Sequence, residues 1–445
     1  MLLRFIAENI FSFKEATEFN LFPSSKSRNH ESHKISCGHV TALRMSAIYG
    51  ANGAGKSNLI NAIGLLKEIV LCDLDAILNP WGLRFLFNKD ITDIPLGLAV
   101  EFSVGHKVLY YHIEFNGERI ISEKLSHSLR THDELIFERT TASNSEIDIN
   151  FTQKYFDEKI TLELKDAIVR ILRPDQTLLR LLGKYYPTYS KMVMYAYSWF
   201  DNSLIVLEPK SSVDNLPHLL HRHPEFLNMV NEKLPALKTG VDSLVVQVEE
   251  LNSQETQAYY KTEIEQAKKT PGIPVKTEKV PYDGIINIVY EEDKIYKKSL
   301  SPHHRLADDH VESIPYVFES DGTRRLIEFM PMLYLLRDPN RVFVVDEIEC
   351  SIHPIMIKEL VRIVSENTIF KGQLIFTTHE SSLLDQHIFR PDEIWFAQKD
   401  TDQATQLYPL SDFNIHNTVN IENGYLQGRY GGIPFLSNIN DLNWE

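Results

Sequence analysis

Eight residues, Gly50-Ala51-Asn52-Gly53-Ala54-Gly55-Lys56-Ser57, match the pattern G-x-x-x-x-G-K-[ST] at every fixed position. The chemistry that this spacing serves is anion binding. Glycines let successive backbone N–H groups curl around a phosphate with no Cβ in the way. The helix expected from Ser57 aims its positive dipole end at the same charge. Lys56 is placed to reach the β- and γ-phosphates and the Ser57 hydroxyl to ligate Mg²⁺, with Asn58 beside them on the first turn. The stretch is a nucleoside-triphosphate site.

Two more stretches set polar residues at the ends of apolar runs. Arg341-Val342-Phe343-Val344-Val345-Asp346-Glu347 has the character of a buried parallel strand, and loops at the carboxyl ends of such strands hold ligands. Asp346 would then bind Mg²⁺ through water, and Glu347 would orient and polarise the attacking water. Gln373-Leu374-Ile375-Phe376-Thr377-Thr378-His379 repeats the layout. His379 there either meets the γ-phosphate or the attacking water, or is a satisfied histidine at a strand end. Upstream, Ser320 and Asp321 are natural N-caps, and Gly322 and Thr323 follow at the start of a helix over Leu326–Leu336. This is a capped helix or a second anion-binding helix start.

The elements that must position these residues follow from periodicity. Leu2 to Phe22 forms two strands around a turn, and Leu43 to Tyr49 is the strand that delivers the phosphate loop. Its helix carries Leu59, Ile60, Ile63, Leu66 and Ile69 on one face. Leu96–Phe102, Lys107–Phe115 and Arg119–Leu125 are strands, with a hairpin turn at Asn116-Gly117. Helical periodicity then covers Tyr155–Leu182, Pro187–Phe200 and Pro217–Leu237, broken at Pro224. Glu249 to Lys269 is a polar helix with few apolar positions, expected as an exposed arm or short helical hairpin. Pro274–Tyr282 returns to extended structure, and Ile285–Val289 with Lys294–Leu300 make a hairpin. The layout is an α/β nucleotide-binding domain in two halves, 1–150 and 281–445, with a mainly helical insertion over 151–280.

Composition sets the outer bounds. At 445 residues, 43% hydrophobic and 24% charged, the chain is ordinary globular material. Cys37, Cys72 and Cys350 make no metal or redox spacing and suit a reduced, cytoplasmic protein. No apolar run approaches the ~18 residues of a membrane span. A formal charge of −15 disfavours a generally basic surface but leaves room for a local basic groove. His218, His221 and His223, and His303, His304, Asp308 and His310, lack a zinc spacing. The lysines at 261, 268, 269, 276, 279, 294, 297 and 298 are interleaved with acids, as on a solvated face.

Taken in order, these motifs, with Ser351-Ile352-His353-Pro354 between the two apolar strands, resemble those of ATP-binding-cassette (ABC) P-loop ATPases. Within that class the chain is similar to the SMC-like and OLD-like branch, of AAA_15 or AAA_21 type, whose N-terminal strand pair the opening LLRFIAENIFSFKEATEFNL resembles. The resemblance implies an ABC-type fold with an N-terminal antiparallel β segment, and ATP and Mg²⁺ as ligands. It implies that Ser320, Gly322 and Thr323 are a signature that meets ATP on another subunit, making the protein at least a dimer. Glu347 would be the catalytic base, Ser351–Pro354 the D-loop and His379 the switch histidine, with Lys56 completing the catalytic set. One departure is that no glutamine occurs between Ser57 and Gln153, where the family carries its Q-loop. The ESDGTRR signature and the run Tyr425–Pro434 resemble the ATPases of bacterial abortive-infection and anti-phage systems, such as the AbiL, Septu PtuA and PARIS AriA proteins. That resemblance implies a sensor ATPase controlling a separate effector, a nuclease or toxin. The polar helix 249–269 and its lysine-rich continuation, hydrophilic and set in the insertion, are the best candidates for the contact. The alternative is an SMC-like repair or DNA-clamping ATPase, with DNA as its partner.

Overall fold

Runs such as Val342–Val345 have no polar interruption and must be buried on both faces. In the computed structural model they form the centre of a sheet. The structure describes all residues except 28, 75–81, 88–93, 157–161, 210, 212, 278–283, 414–418 and 434–445, and not the side chains of 162–166. By compactness the chain divides into two units. The first holds Met1–Pro209, Leu336–Glu349 and Lys358–Glu445, and the second Lys210–Leu335 and Cys350–Ile357.

The central sheet of the first unit has the order β11 (Leu204–Leu207), β17 (Val342–Val345), β18 (Gln373–Thr377), β5 (Met45–Gly50), β19 (Ile394–Lys399), β20 (Thr405–Pro409). Its first five strands are parallel and β20 is antiparallel to β19. The register pairs Val345 with Phe376 and Thr377 with Ile48, so β17, β18 and β5 end together. The carboxyl ends that carry Asp346, His379 and the phosphate loop therefore lie on one edge.

A second, antiparallel sheet runs β10 (Ile147–Phe151), β9 (Asp133–Thr141), β8 (Ile120–Ser128), β7 (Lys107–Phe115), β6 (Leu96–Val104), β1 (Leu2–Glu8), β2 (Thr17–Asn20). In β7, Leu109, Tyr111, Ile113 and Phe115 are buried while Tyr110, His112 and Glu114 are half-buried, the period-two pattern of a one-sided sheet. A small hairpin, β3 (Lys34–Cys37) and β4 (Val40–Leu43), precedes β5. The helix Lys56–Leu71 buries Leu59, Ile60, Ile63, Leu66 and Ile69, in one cluster with Phe5, Val100 and Phe102 of one sheet and Val344 and Ile375 of the other. Burial of such side chains contributes about 1.5–3 kcal/mol each. Gln373 ties the sheets together by polar contact. Its Oε1 accepts from Leu2 N at 2.7 Å, and its Nε2 donates to Leu2 O at 2.9 Å and Leu43 O at 2.8 Å.

The second unit is not mainly helical. It contains a five-stranded antiparallel sheet of β12 (Ser243–Glu250), β15 (Lys294–Arg305), β14 (Ile286–Glu291) and β13 (Val275–Thr277), with β16 (Val311–Ser313) paired to β15. The β14–β15 hairpin and the break at Pro224, between helices Leu216–Arg222 and Pro224–Lys233, fall where the sequence places them. Two expectations are corrected. The segment 151–209 belongs with the first unit, because β11 is hydrogen-bonded beside β17 in the central sheet. The polar segment 249–269 is not an exposed arm. It starts as the end of β12 and continues as helices Gln254–Tyr259 and Lys261–Lys269, whose Tyr260, Ile264 and Ala267 are buried with Val275, Ile286 and Ile288. Extended structure over Pro274–Tyr282 is described as far as Thr277, and 278–283, like Pro434, lie outside the described residues.

Candidate nucleotide site

The phosphate loop leaves β5 at Gly50 and enters its helix at Lys56. Gly53 at φ +77° and Gly55 at φ +103° take backbone conformations that a side chain resists. At Gly55 a Cβ would stand 2.0 Å from Thr405 Oγ1, so the loop has no room for one. No side chain caps the helix that follows, which leaves its first N–H groups open to a ligand. Lys56 is buried, and its ammonium donates to Gly50 O at 2.8 Å and Ala51 O at 3.1 Å. Ala51, Asn52 and Ala54 complete the turn, and Ser57 lies in the first helical turn. Asn58 points elsewhere, donating from Nδ2 to Ser12 Oγ at 2.8 Å.

A brace the motif does not encode holds this loop from behind. Thr405 Oγ1 lies 2.9 Å from Ala54 O and 2.7 Å from Ser12 Oγ. A hydroxyl has one proton, and Ala54 O can only accept it, so Ser12 donates to Thr405 and Asn58 to Ser12. The relay Asn58, Ser12, Thr405, Ala54 thus joins the helix, the β1–β2 connection, β20 and the loop.

The acids come together at the adjacent strand ends. Thr377 Oγ1 donates to Asp346 Oδ1 and accepts from Glu347 N at 2.8 Å. Glu347 sits at φ +47°, a conformation that costs a non-glycine residue free energy and clusters at functional sites. Ile348 N donates to Thr377 O at 3.1 Å, and His379 N to Glu349 Oε1 at 2.5 Å. Thr377 and Glu349 were not among the expected site residues. Glu349 stands only two positions past Glu347, and that proximity was the one sequence signal available.

Charge and burial shape the site together. Burial pushes the Lys56 ammonium below the ordinary lysine range, and Asp346, Glu349 and Glu347 oppose the shift. The His379 ring is pushed below the usual histidine value, first by burial and then by the Lys56 cation. Burial, with Glu349 next in weight, raises the Tyr49 phenol well above its ordinary value. Among the described residues neither Tyr49 OH nor Glu349 Oε2, both buried, has a hydrogen-bond partner. The donor set fits a nucleoside triphosphate with Mg²⁺: an uncapped helix start, a buried ammonium held only by neutral carbonyls of its own loop in the contacts above, and a hydroxyl and a carboxylate suited to a hard cation.

The C-terminal Gly/Tyr run closes the far side. Tyr425 packs edge-on against Tyr49 at 5.9 Å and stacks on Phe396 of β19 at 5.6 Å, while its hydroxyl donates to Gly432 O at 3.1 Å. Glu422, on the same short helix, accepts from Ser381 Oγ at 3.0 Å, two residues past His379.

Ser320, Gly322 and Thr323 lie in the second unit, at the start of helix Asp321–Leu335. Ser320 Oγ accepts from Thr323 N at 3.1 Å, as an N-cap does. A Cβ at Gly322 would meet Ser351 O at 2.9 Å, so this helix start packs directly on the Ser351–Pro354 loop.

The family model described as "AAA domain, putative AbiEii toxin, Type IV TA system" matches residues 45–385. Among solved structures, the chain is similar to the SMC head domain from Thermotoga maritima (11% identity, TM-score 0.40, covering 92% of this chain and 98% of that one). It is similar also to the Smc head domain with an extended coiled coil, bound to the C-terminal domain of ScpA, derived from Pyrococcus furiosus (12% identity, TM-score 0.38, covering 96% and 98%). No curated protein matches the sequence. Among the described residues no helix is long and apolar enough to cross a membrane.

Proposed function

The chain belongs to the AAA_21 family of AAA domains, and on that premise we propose that it binds ATP with Mg²⁺ and hydrolyses it as a nucleotide-driven switch. The observation that carries this reading is the convergence of Lys56, the Thr377-held pair Asp346 and Glu347, and His379 at the ends of three adjacent parallel strands. The loop 50–57 wraps the phosphates with its N–H groups, and Lys56 leaves its two carbonyls for the β- and γ-phosphates. Ser57 and Asp346 are the residues to hold Mg²⁺, which supplies charge neutralisation at those phosphates. Glu347 takes the proton of the attacking water, and His379 steadies the γ-phosphate. The test is a pair of variants. Lys56→Ala should abolish ATP binding by calorimetry, whereas Glu347→Gln should bind ATP normally and hydrolyse it about 10²- to 10⁴-fold more slowly. Parental hydrolysis in Glu347→Gln would remove it from the role of base.

The wider reading is a homodimer in which Ser320, Gly322 and Thr323 of one copy meet ATP held by the other, coupling nucleotide state to a separate effector. The family's description, which names a toxin of a type IV TA system, supports placing this switch in a bacterial defence or toxin system. The rival reading, a DNA-clamping SMC-like ATPase, is equally compatible with the family and the fold. Lys276, Lys294 and Lys298 are paired with Asp214, Glu250 and Glu291, while Lys261, Lys268 and Lys269 are exposed. Stimulation of hydrolysis by DNA would favour that rival.

A further inference from the structure

The turn after β17 is laced to the end of β18 at three successive points. Glu347 N donates to Thr377 Oγ1, Ile348 N to Thr377 O, and the third contact reverses direction: His379 N donates to Glu349 Oε1 at 2.5 Å. The first two bonds hold the strand end. The third reaches past it to the residue whose side chain the reaction needs. Within the 378–380 segment, Glu380 N donates to Thr378 Oγ1, which shapes the turn without tying it to β17. The Glu349 bond is therefore the contact that ties the acids to the main chain of the histidine. The second Glu349 oxygen is buried and makes no hydrogen bond among the described residues.

We propose that Glu349 is a positioning residue: by holding the His379 main chain against the Asp346–Glu347 turn, it sets the imidazole at the γ-phosphate of bound ATP. This inference rests on the ATPase reading above. It assigns Glu349 no contact with the substrate and no proton to carry. Its action is through the hydrogen bond, so a neutral acceptor of the same shape should serve nearly as well.

The experiment compares Glu349→Ala and Glu349→Gln with the parent in ATP turnover, ATP affinity and hydrogen exchange of the His379 amide. Glu349→Ala should lower kcat about tenfold, the rate equivalent of one net hydrogen bond, with KM within about twofold, and its His379 amide should exchange faster. Glu349→Gln should keep kcat within about threefold of the parent and retain the protected amide. Equal damage in both variants would show that charge rather than the bond matters, and would overturn the proposal. So would a parental kcat or a parental exchange rate in Glu349→Ala. A parent that binds ATP but does not hydrolyse it would overturn the ATPase reading, and the exchange measurement would still report whether Glu349 holds the His379 loop.

Discussion

Thr405→Val offers a direct test of the brace behind the phosphate loop. Valine keeps the branched shape of threonine but puts a methyl where the hydroxyl stood, 2.7 Å from Ser12 Oγ and 2.9 Å from Ala54 O, so it removes the bonds and crowds their partners. What is lost is the bond from Thr405 Oγ1 to Ala54 O and the acceptor for Ser12 Oγ, both at a fully buried residue. Leaving each of the two buried partners unpaired costs about 1–3 kcal/mol, so the substitution should destabilise the first unit by about 2–6 kcal/mol. For a unit of this size that lowers Tm by roughly 5–15 °C. Part of the loss should appear in binding, because every kcal/mol that holds the loop in its binding form is about fivefold in apparent ATP affinity. Scanning calorimetry gives the first number and titration calorimetry the second. Thr405→Ser, which keeps the hydroxyl, should stay close to the parent in affinity. If the valine variant melts within a degree of the parent and binds ATP equally well, the relay from Asn58 to Ala54 carries no weight in the site.

Three further outcomes are expected. Gly322→Val should leave ATP binding intact, since that site lies in the first unit, but abolish ATP-dependent association by displacing the helix start from Ser351 O; sedimentation of the variant alone and mixed with Lys56→Ala, where one composite site should recover, decides this. Gln373→Leu strips partners from Leu2 N, Leu2 O and Leu43 O and should cost about 3–5 kcal/mol in denaturant unfolding. Burial, and then the Lys298 ammonium 3.3 Å away, hold the His218 ring at about 4, below its unfolded value, so the unfolded state binds more protons between those values. Its contribution to stability is complete above about pH 6.5 and is lost as pH falls toward 4, and His218→Asn should flatten the melting curve of Tm against pH in that window.

How much of this was legible in the sequence depended on whether a feature is local. The phosphate loop, its helix face and the two apolar strands could be placed because backbone conformation and burial demand particular residues at fixed spacing. Thr405, Ser12 and Gln373 could not, since each acts on a partner far along the chain and carries no local pattern. The exposed-arm reading of 249–269 failed for a more instructive reason. Tyr260, Ile264 and Ala267 fall at i, i+4 and i+7, a stripe narrow enough to look like chance beside so many charges. It suffices because β13 and β14 present an equally small apolar face. In β12, likewise, Val245 and Val248 are exposed among Gln247, Glu249 and Glu250, which blurred the period of two.

The path of the chain after Asp346 gives the proposed switch a physical route. Residues up to Glu349 belong to the first unit, Cys350–Ile357 to the second, and Lys358 onward to the first again. Two non-glycine residues in this span, Glu347 at φ +47° and Ser351 at φ +62°, adopt left-handed backbone, so the segment is held by its surroundings rather than by its own preference. At one end Thr377 and the Glu349–His379 bond fix it to the strand ends that would meet the γ-phosphate. Four residues after Glu347, the Ser351 carbonyl occupies the space that a side chain at Gly322 would need. In the proposed switch, a shift of the acids on nucleotide binding would pass along this segment to the carbonyl against which the Ser320–Thr323 helix start packs. Coupling of this kind requires that ATP favour one arrangement of the segment over another.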